Sequence, residues 1–134
     1  MKILDAITWL QGKIAEIDDI ATVPENPGGG AFPLAIVHLG PGEVKVGNPA
    51  ATWYALDAIV IEVHVSNQGM AAAFQLMMVL HPQVLAVITA DTTLGGFIQT
   101  YGSITYGTPQ LSEWDGSPTL MMAYVLNNVK TLNS

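Results

Sequence analysis

Apolar residues near the N-terminus recur at steps of three and four, the spacing of one face of a helix. They are Ile3, Ile7, Leu10, Ile14 and Ile17. This spacing predicts an amphipathic helix over residues 2–17. Asp18 and Asp19 follow, and because carboxylates are unfavourable at the negative end of a helix, we expect the helix to stop before them.

Period-two patterns further along the chain predict strands. The clearest covers residues 53–65, where one face consists of Ile59, Ile61, Val63 and Val65 and the other of Ala58, Val60, Glu62 and His64. Three shorter strands are predicted over residues 34–39, 97–106 and 119–129. A weak strand or extended arm is predicted over 43–48.

The segment that starts at Met70 is apolar almost all round, which predicts a buried helix over residues 70–80. Pro82 lacks an N–H group and clashes with the preceding turn, so a second helix is predicted over 82–90. Loops are predicted at 22–33, where three prolines and three glycines occur, and at 107–118.

The order of these elements is helix, two strands, helix pair and two strands. It predicts an α+β fold with about four strands in a largely antiparallel or mixed sheet, and helices packed on one face. A chain of 134 residues is expected to form a single domain over 1–134.

The composition is unusually poor in charge. Half of the residues are apolar and 11% are charged, whereas about a quarter is usual. We therefore expect part of the apolar surface to be covered by partner proteins. The alternative is that uncharged polar residues and glycine cover the surface of a monomer.

The formal net charge of −7, with four lysines and no arginine, argues against binding of nucleic-acid phosphates or anionic membranes. No cysteine is present, so no disulfide or thiolate metal site is expected. No signal peptide pattern is seen at the start, and no apolar run is expected to reach the roughly 20 residues of a membrane span.

Motifs that carry chemistry are weak. The run of glycines at 28–30 lacks the strand, helix and lysine of a phosphate cradle. Glu62 and His64 share a strand face, and His81 precedes Asp91, but neither pair has a nucleophile nearby. No catalytic, cofactor-binding or metal residue is predicted, and a small-ligand site or enzyme built on Glu62 and His64 is the alternative.

The most informative short motif is a turn after the predicted helix pair. Asp91 can hydrogen-bond its own backbone. Leu94 can fold back onto the helix, and Gly95 or Gly96 can take the left-handed conformation.

Taken in order, the whole chain resembles a tail terminator protein of long-tailed bacteriophages. The resemblance rests on the N-terminal helix beginning at Lys2, the proline-rich loop leading to Pro33, the long strand, the helix interrupted at Pro82, the turn at 91–96 and the final strand pair. Head–tail connector or stopper proteins share small α/β folds of similar size and are the runner-up.

The resemblance implies a ring, with six copies as the expected number. Such a ring would cap the tail tube protein, end tube polymerisation and present a surface to head or neck connector proteins. DNA would only pass through the bore, whose carboxylates would repel phosphates. The expected location is the tail or neck of the virion, and the host cytoplasm during assembly.

Loops and aromatic residues supply the candidates for subunit interfaces, because loops carry function more often than the elements they connect and tryptophan is enriched at binding hot spots. The candidates are Pro24, Gly29, Pro41, Glu43, Lys45, Trp53, Tyr54, Glu62, His64, Trp114 and Asp115.

Overall fold

The computed structural model describes residues 2–25, 29–46 and 53–131, except for the side chains of Trp53 and Tyr54. Two helices and seven strands lie within these residues. In chain order they are α1 (Lys2–Ile14), β1 (Leu34–Leu39), β2 (Glu43–Val46), β3 (Trp53–Ser66), α2 (Met70–Thr89), β4 (Ile98–Thr100), β5 (Ser103–Tyr106), β6 (Gln110–Trp114) and β7 (Ser117–Thr131).

All strands pair antiparallel in one sheet, so the predicted α+β class is confirmed. The two longest strands, β3 and β7, lie side by side at its centre. Strands β1 and β2 share the outer edge of β3, while β4, β5 and β6 share the outer edge of β7. The prediction of about four strands is too low, because several short strands line each edge of a sheet that is four strands wide.

The core lies between the helices and one face of this sheet. Strand β3 contributes Ile59, Ile61, Val63 and Val65, each fully buried, as the alternation predicts. Their neighbours on β7 are Leu126, Tyr124, Met122 and Leu120. The buried stripe of α1 packs in the same core cluster, together with Ala35 and Val37 of β1.

Helix α1 ends earlier than predicted but keeps the predicted buried stripe. Its last residue is Ile14 rather than a residue near position 17. A tight turn follows, in which the Ile17 N–H donates to the Ile14 carbonyl at 3.0 Å. Ile17 stays buried, so apolar burial persists where the regular helix has stopped.

The prediction of two helices separated at Pro82 is wrong, because α2 continues through it. Pro82 and Met78 are both exposed. In a regular helix, the N–H of the residue at position 82 would donate a hydrogen bond to the Met78 carbonyl. This carbonyl therefore lies on a side of the helix that water can reach. The missing bond costs less there than in a buried helix.

The predicted strand over 97–106 is two strands, β4 and β5, separated at Tyr101 and Gly102. The Gly102 N–H donates to the Asn127 carbonyl at 2.8 Å, and Asn128 has a positive φ of 56°. Register shifts between β4 and β7 accompany this irregularity. The bend depends on the partner strand, which the local sequence does not reveal.

The segment predicted as a loop over 107–118 contains strand β6, which forms a hairpin with β7. Asp115 and Gly116 link the two strands with φ angles of 51° and 79°. Two consecutive positive φ angles are what a two-residue hairpin turn of type I′ requires, and Asp-Gly is a strong sequence signal for it. Sequence reasoning missed that signal.

The loop after α1 closes over part of the second sheet face. Thr22 forms a parallel bridge with Leu34, and the Ala35 N–H donates to the Thr22 carbonyl at 3.1 Å. Leu34 and Ile36 of β1 are buried beneath this region. The helices thus pack on one face of the sheet, and the loop covers part of the opposite face, called the second sheet face below.

Candidate functional site

Helix α2 is the more apolar of the two helices and is only partly covered. Its buried residues form one stripe of Ala73, Met77, Leu80, Val84 and Ile88. No charged residue occurs from Met70 to Thr89. By length and composition alone, the helix is long and apolar enough to cross a membrane. Of its 18-residue apolar stretch, 28% is buried inside the domain. The expectations of a short apolar run and of a helix buried all round are therefore wrong.

The uncovered apolar side chains continue from α2 onto the neighbouring strands. Phe74 and Met78 of α2 are 40% and 67% exposed, and Tyr106 of β5 and Leu111 of β6 are 51% and 67% exposed. Leu111 pairs with the core residue Leu120, so it lies on the same sheet face as the helices. The helices do not extend over Leu111, which is therefore exposed. These four residues are called the apolar face below.

A groove of about 450 Å³ opens beside Met78 and Tyr106 of the apolar face, between α2 and the connection from β5 to β6. Its lining residues are Met77, Met78, His81, Tyr106, Gly107, Thr108 and Met122. Methionine side chains adapt to irregular partners because they are unbranched and polarisable. The groove is therefore suited to an apolar protein segment.

Aromatic packing holds the wall of this groove in place. The His81 ring lies edge-on to Tyr106 at 4.8 Å and stacks on Tyr124 at 5.6 Å. The Tyr124 hydroxyl lies 2.7 Å from His81 Nδ1. Burial raises the pKa of Tyr124 to about 12, and the hydroxyl also donates to Met122 Sδ at 3.6 Å. Tyr106 is thus exposed to solvent, but its ring is held in place by the contact with His81.

A second unsupported element is the β2–β3 arm, defined as β2 together with residues 53–56 of β3. Among the described strands, residues 53–56 pair only with β2, since pairing between β3 and β7 begins at Asp57. Val44 and Val46 are 56% and 66% exposed. A two-stranded ribbon without further packing is marginally stable in water.

Several predicted interface residues belong to this arm or lie next to it. Pro41 is exposed just before β2, and Glu43 and Lys45 are exposed within it. The Lys45 Nζ lies 3.5 Å from Glu43 Oε1, so the two charges offset each other. Trp53 and Tyr54 begin β3, but their side chains lie outside the described residues, as do positions 47 and 48 of the predicted arm.

The Glu62 carboxylate lies on the second sheet face between two histidines. Its Oε2 accepts from His38 Nε2 at 2.7 Å and its Oε1 from His64 Nε2 at 3.2 Å. The hydrogen bond from His64 is the largest cause that lowers the pKa of Glu62 to about 2. Sequence reasoning paired Glu62 with His64 but missed His38, which the β1–β3 register brings alongside.

Only part of this cluster is buried, since the side chains of His38 and Glu62 are 42% and 28% exposed. His64 is 2% exposed, and its Nδ1 lies 3.0 Å from Thr119 Oγ1. A depression of about 250 Å³ on the same face is lined by residues of β5, β6 and β7 and by the connection between β5 and β6, and neither Glu62 nor His64 contributes to it. Within the described ranges, no three His, Cys, Asp or Glu side chains form a metal-binding group.

Trp114 ends strand β6 instead of lying in a loop, and it makes contacts within the molecule. Its indole N–H donates to the Gly29 carbonyl at 2.7 Å. Its ring centroid lies 5.2 Å from that of His64. Trp114 thus ties the loop of Pro24 and Gly29 to the second sheet face, while Asp115 is exposed in the hairpin turn. A role for these residues in a subunit interface stays a prediction.

The turn after α2 has the predicted hydrogen bonding. Asp91 Oδ1 accepts from the N–H of Thr93 at 2.9 Å, and its Oδ2 from the N–H of Gly95 at 3.2 Å. Hydrogen bonds from Thr93 are the main reason that the pKa of Asp91 is lowered. Leu94 is fully buried, and Leu94, Gly95 and Gly96 all have positive φ. The turn therefore has the backbone conformation that the sequence predicts.

The apolar face was missed as a site because its residues are indistinguishable from core residues in the sequence. No protein-family model matches the chain, and none of the curated proteins matches it significantly.

Proposed function

We propose that this chain is a structural subunit that assembles head to tail with copies of itself into a ring, and that it serves as a tail terminator of a long-tailed bacteriophage. The observation that carries the proposal is the uncharged, largely uncovered surface of α2 with the groove beside it. A helix of this composition is expected in a core, in a membrane or in a contact with another protein, and the packing of its buried stripe in the core of this domain favours the last of these for its open side.

The magnitude of the exposed surface supports assembly. Fully burying a Leu, Met or Phe side chain stabilises by about 1.5–3 kcal/mol. Phe74, Met78, Tyr106 and Leu111 are each roughly half exposed, so covering all four contributes on the order of 4 kcal/mol. Association costs about 4–15 kcal/mol in lost freedom. The apolar face therefore favours a contact but needs additional surface to make it stable.

The charge distribution favours a ring over a random aggregate. From Val63 to Val129 the charged residues are Asp91, Glu113 and Asp115, whereas most of the other charges precede this stretch. With a net charge of −7, copies repel one another except through surfaces that lack charge. Contacts between two different surfaces of successive copies close into a ring when their rotation allows it.

The resemblance of the whole chain to that family supports the tail terminator role, and the exposed apolar face supports the assembly that this role requires. Six copies would sit on the last ring of the tail tube, end its polymerisation and present a surface to the head or neck. An acidic bore would let DNA pass without adhering, because carboxylates repel phosphates.

Deleting the gene from a phage genome that carries it tests this role. Electron microscopy of the lysate should show tails of uncontrolled length if the chain is the terminator. Tails of normal length that fail to join heads would instead assign the chain to a head–tail connector or stopper. Normal tails joined to heads would contradict both assignments.

A further inference from the structure

We infer that the β2–β3 arm of one copy occupies the groove beside α2 of the next copy. This inference rests on the proposed head-to-tail assembly and names the two surfaces that meet. It concerns the described part of the arm, chiefly the exposed Val44 and Val46, and the groove wall formed by Met78 and Tyr106.

The described part of the arm leaves apolar side chains uncovered by the other described residues. All four residues of β2 are exposed, and within the described pairings residues 53–56 of β3 pair with β2 and not with β7. Val44 and Val46 alternate with Glu43 and Lys45, so one side of the strand is apolar and the other carries an ion pair. An apolar strand side without a core favours docking on another surface.

The groove accepts a neutral apolar segment better than a charged one. No charged residue occurs in α2, and none occurs from Thr92 to Ser112, the stretch that contains the β5–β6 wall. A basic or acidic peptide, a phosphate or an anionic headgroup would find no opposite charge here. The arm fits this requirement, because Glu43 and Lys45 offset each other and no charged residue lies between Lys45 and Asp57.

The two surfaces lie on opposite edges of the same sheet. Strand β2 pairs along the outer edge of β3, and β5 pairs along the outer edge of β7. The arm and the groove of one copy therefore lie at different edges of its sheet. A contact between these two different edges joins successive copies head to tail. The apolar face alone buries too little surface for a stable contact, and Val44 and Val46 of the arm add to that surface.

The absence of cysteine from the chain allows a direct test by cross-linking. The double variant Val46→Cys/Met78→Cys, treated in dilute solution with a short thiol-specific cross-linker, should give a ladder of covalent oligomers. Each single variant should give at most a dimer, since it offers one thiol per copy. Because positions 46 and 78 are exposed, the substitutions should leave the fold intact.

A matched control is Val46→Cys/Val79→Cys. Val79 is also exposed on α2, at 51%, but it does not line the groove. We expect at least a tenfold weaker ladder from this pair. Equal ladders from both pairs, or no ladder from the groove pair, would overturn the inference.

Sedimentation of the unmodified protein separates this failure from failure of the proposed assembly. If the chain associates but the groove pair does not cross-link, assembly stands and the arm is not the occupant. If the chain stays monomeric and the pair does not cross-link, both ideas fail.

Discussion

At the scale of single residues, the turn after α2 combines a local signal with a distant contact. Asp91 receives its hydrogen bonds from residues two and four positions away, which is why the sequence could predict the turn. Gly95 is constrained differently, because a Cβ there would lie 2.5 Å from Trp9 Cδ1. That contact comes from α1, and no local pattern reveals it.

Replacing Gly95 by alanine should therefore cost more than replacing its neighbour. Both Gly95 and Gly96 have positive φ, but a Cβ at Gly96 would meet nothing within 4 Å. We expect Gly96→Ala to lower the free energy of unfolding by about 1 kcal/mol through backbone strain. Gly95→Ala adds a clash with Trp9, for a total loss of about 2–4 kcal/mol. Urea unfolding of both variants measures these losses. Equal losses of stability in the two variants would contradict the contact between Gly95 and Trp9.

Glu62 should make stability depend on acidity. Its folded-state pKa is about 2 against an ordinary value of 4.5. The folded state thus favours the ionised carboxylate. The stability that this carboxylate contributes is fully present above about pH 4.5 and is lost as the pH falls towards 2. Urea midpoints of wild type and Glu62→Gln, measured from pH 6 to pH 2, should converge at the acid end. A constant difference across this range would show that Glu62 does not titrate as described.

At the scale of elements, periodicity predicted most of the strands and both helical regions, whereas breaks within them depended on neighbours. The 14-residue strand β3 begins at the predicted residue and ends one residue beyond the predicted end, and β1 matches fully. Gly102 divides a predicted strand because its N–H pairs with Asn127 of β7. The β6–β7 hairpin was predictable in principle from Asp115-Gly116, since this dipeptide favours the required turn.

Pro82 offers a test of why α2 stays continuous. If the missing hydrogen bond is merely tolerated on the exposed side, Pro82→Ala should raise the free energy of unfolding by about 1–2 kcal/mol, part of the usual helix penalty of proline. Thermal unfolding followed by circular dichroism measures this. A lower stability of the alanine variant would mean that the fold needs the proline at this position.

The loop that covers the second sheet face should depend on the Trp114 indole. Trp114→Phe keeps a ring beside His64 but removes the N–H that donates to Gly29. We expect a loss of about 1 kcal/mol in the free energy of unfolding and faster amide exchange in residues 29–32. Trp114→Ala, which also removes the ring, should cost more. Unchanged exchange in the phenylalanine variant would contradict the tie between loop and sheet.

At the scale of the whole molecule, the sequence could not show which apolar residues lie uncovered. Met77 and Met78 are adjacent and identical, yet Met77 is 1% and Met78 is 67% exposed. The difference arises because a two-layer fold covers one side of α2 and leaves the other open. Low charge predicted that partners would cover part of the surface; the structure adds a specific face and groove to that expectation.

The most direct test of this account is sedimentation velocity of the purified protein across its soluble concentration range, compared with Phe74→Glu/Met78→Glu. Wild type should associate beyond a monomer as concentration rises. The double variant should remain monomeric with unchanged circular dichroism, because two charges would have to be buried in the contact. A wild-type protein that is monomeric throughout, or a double variant that associates equally well, would contradict the claim that the apolar face is a subunit contact.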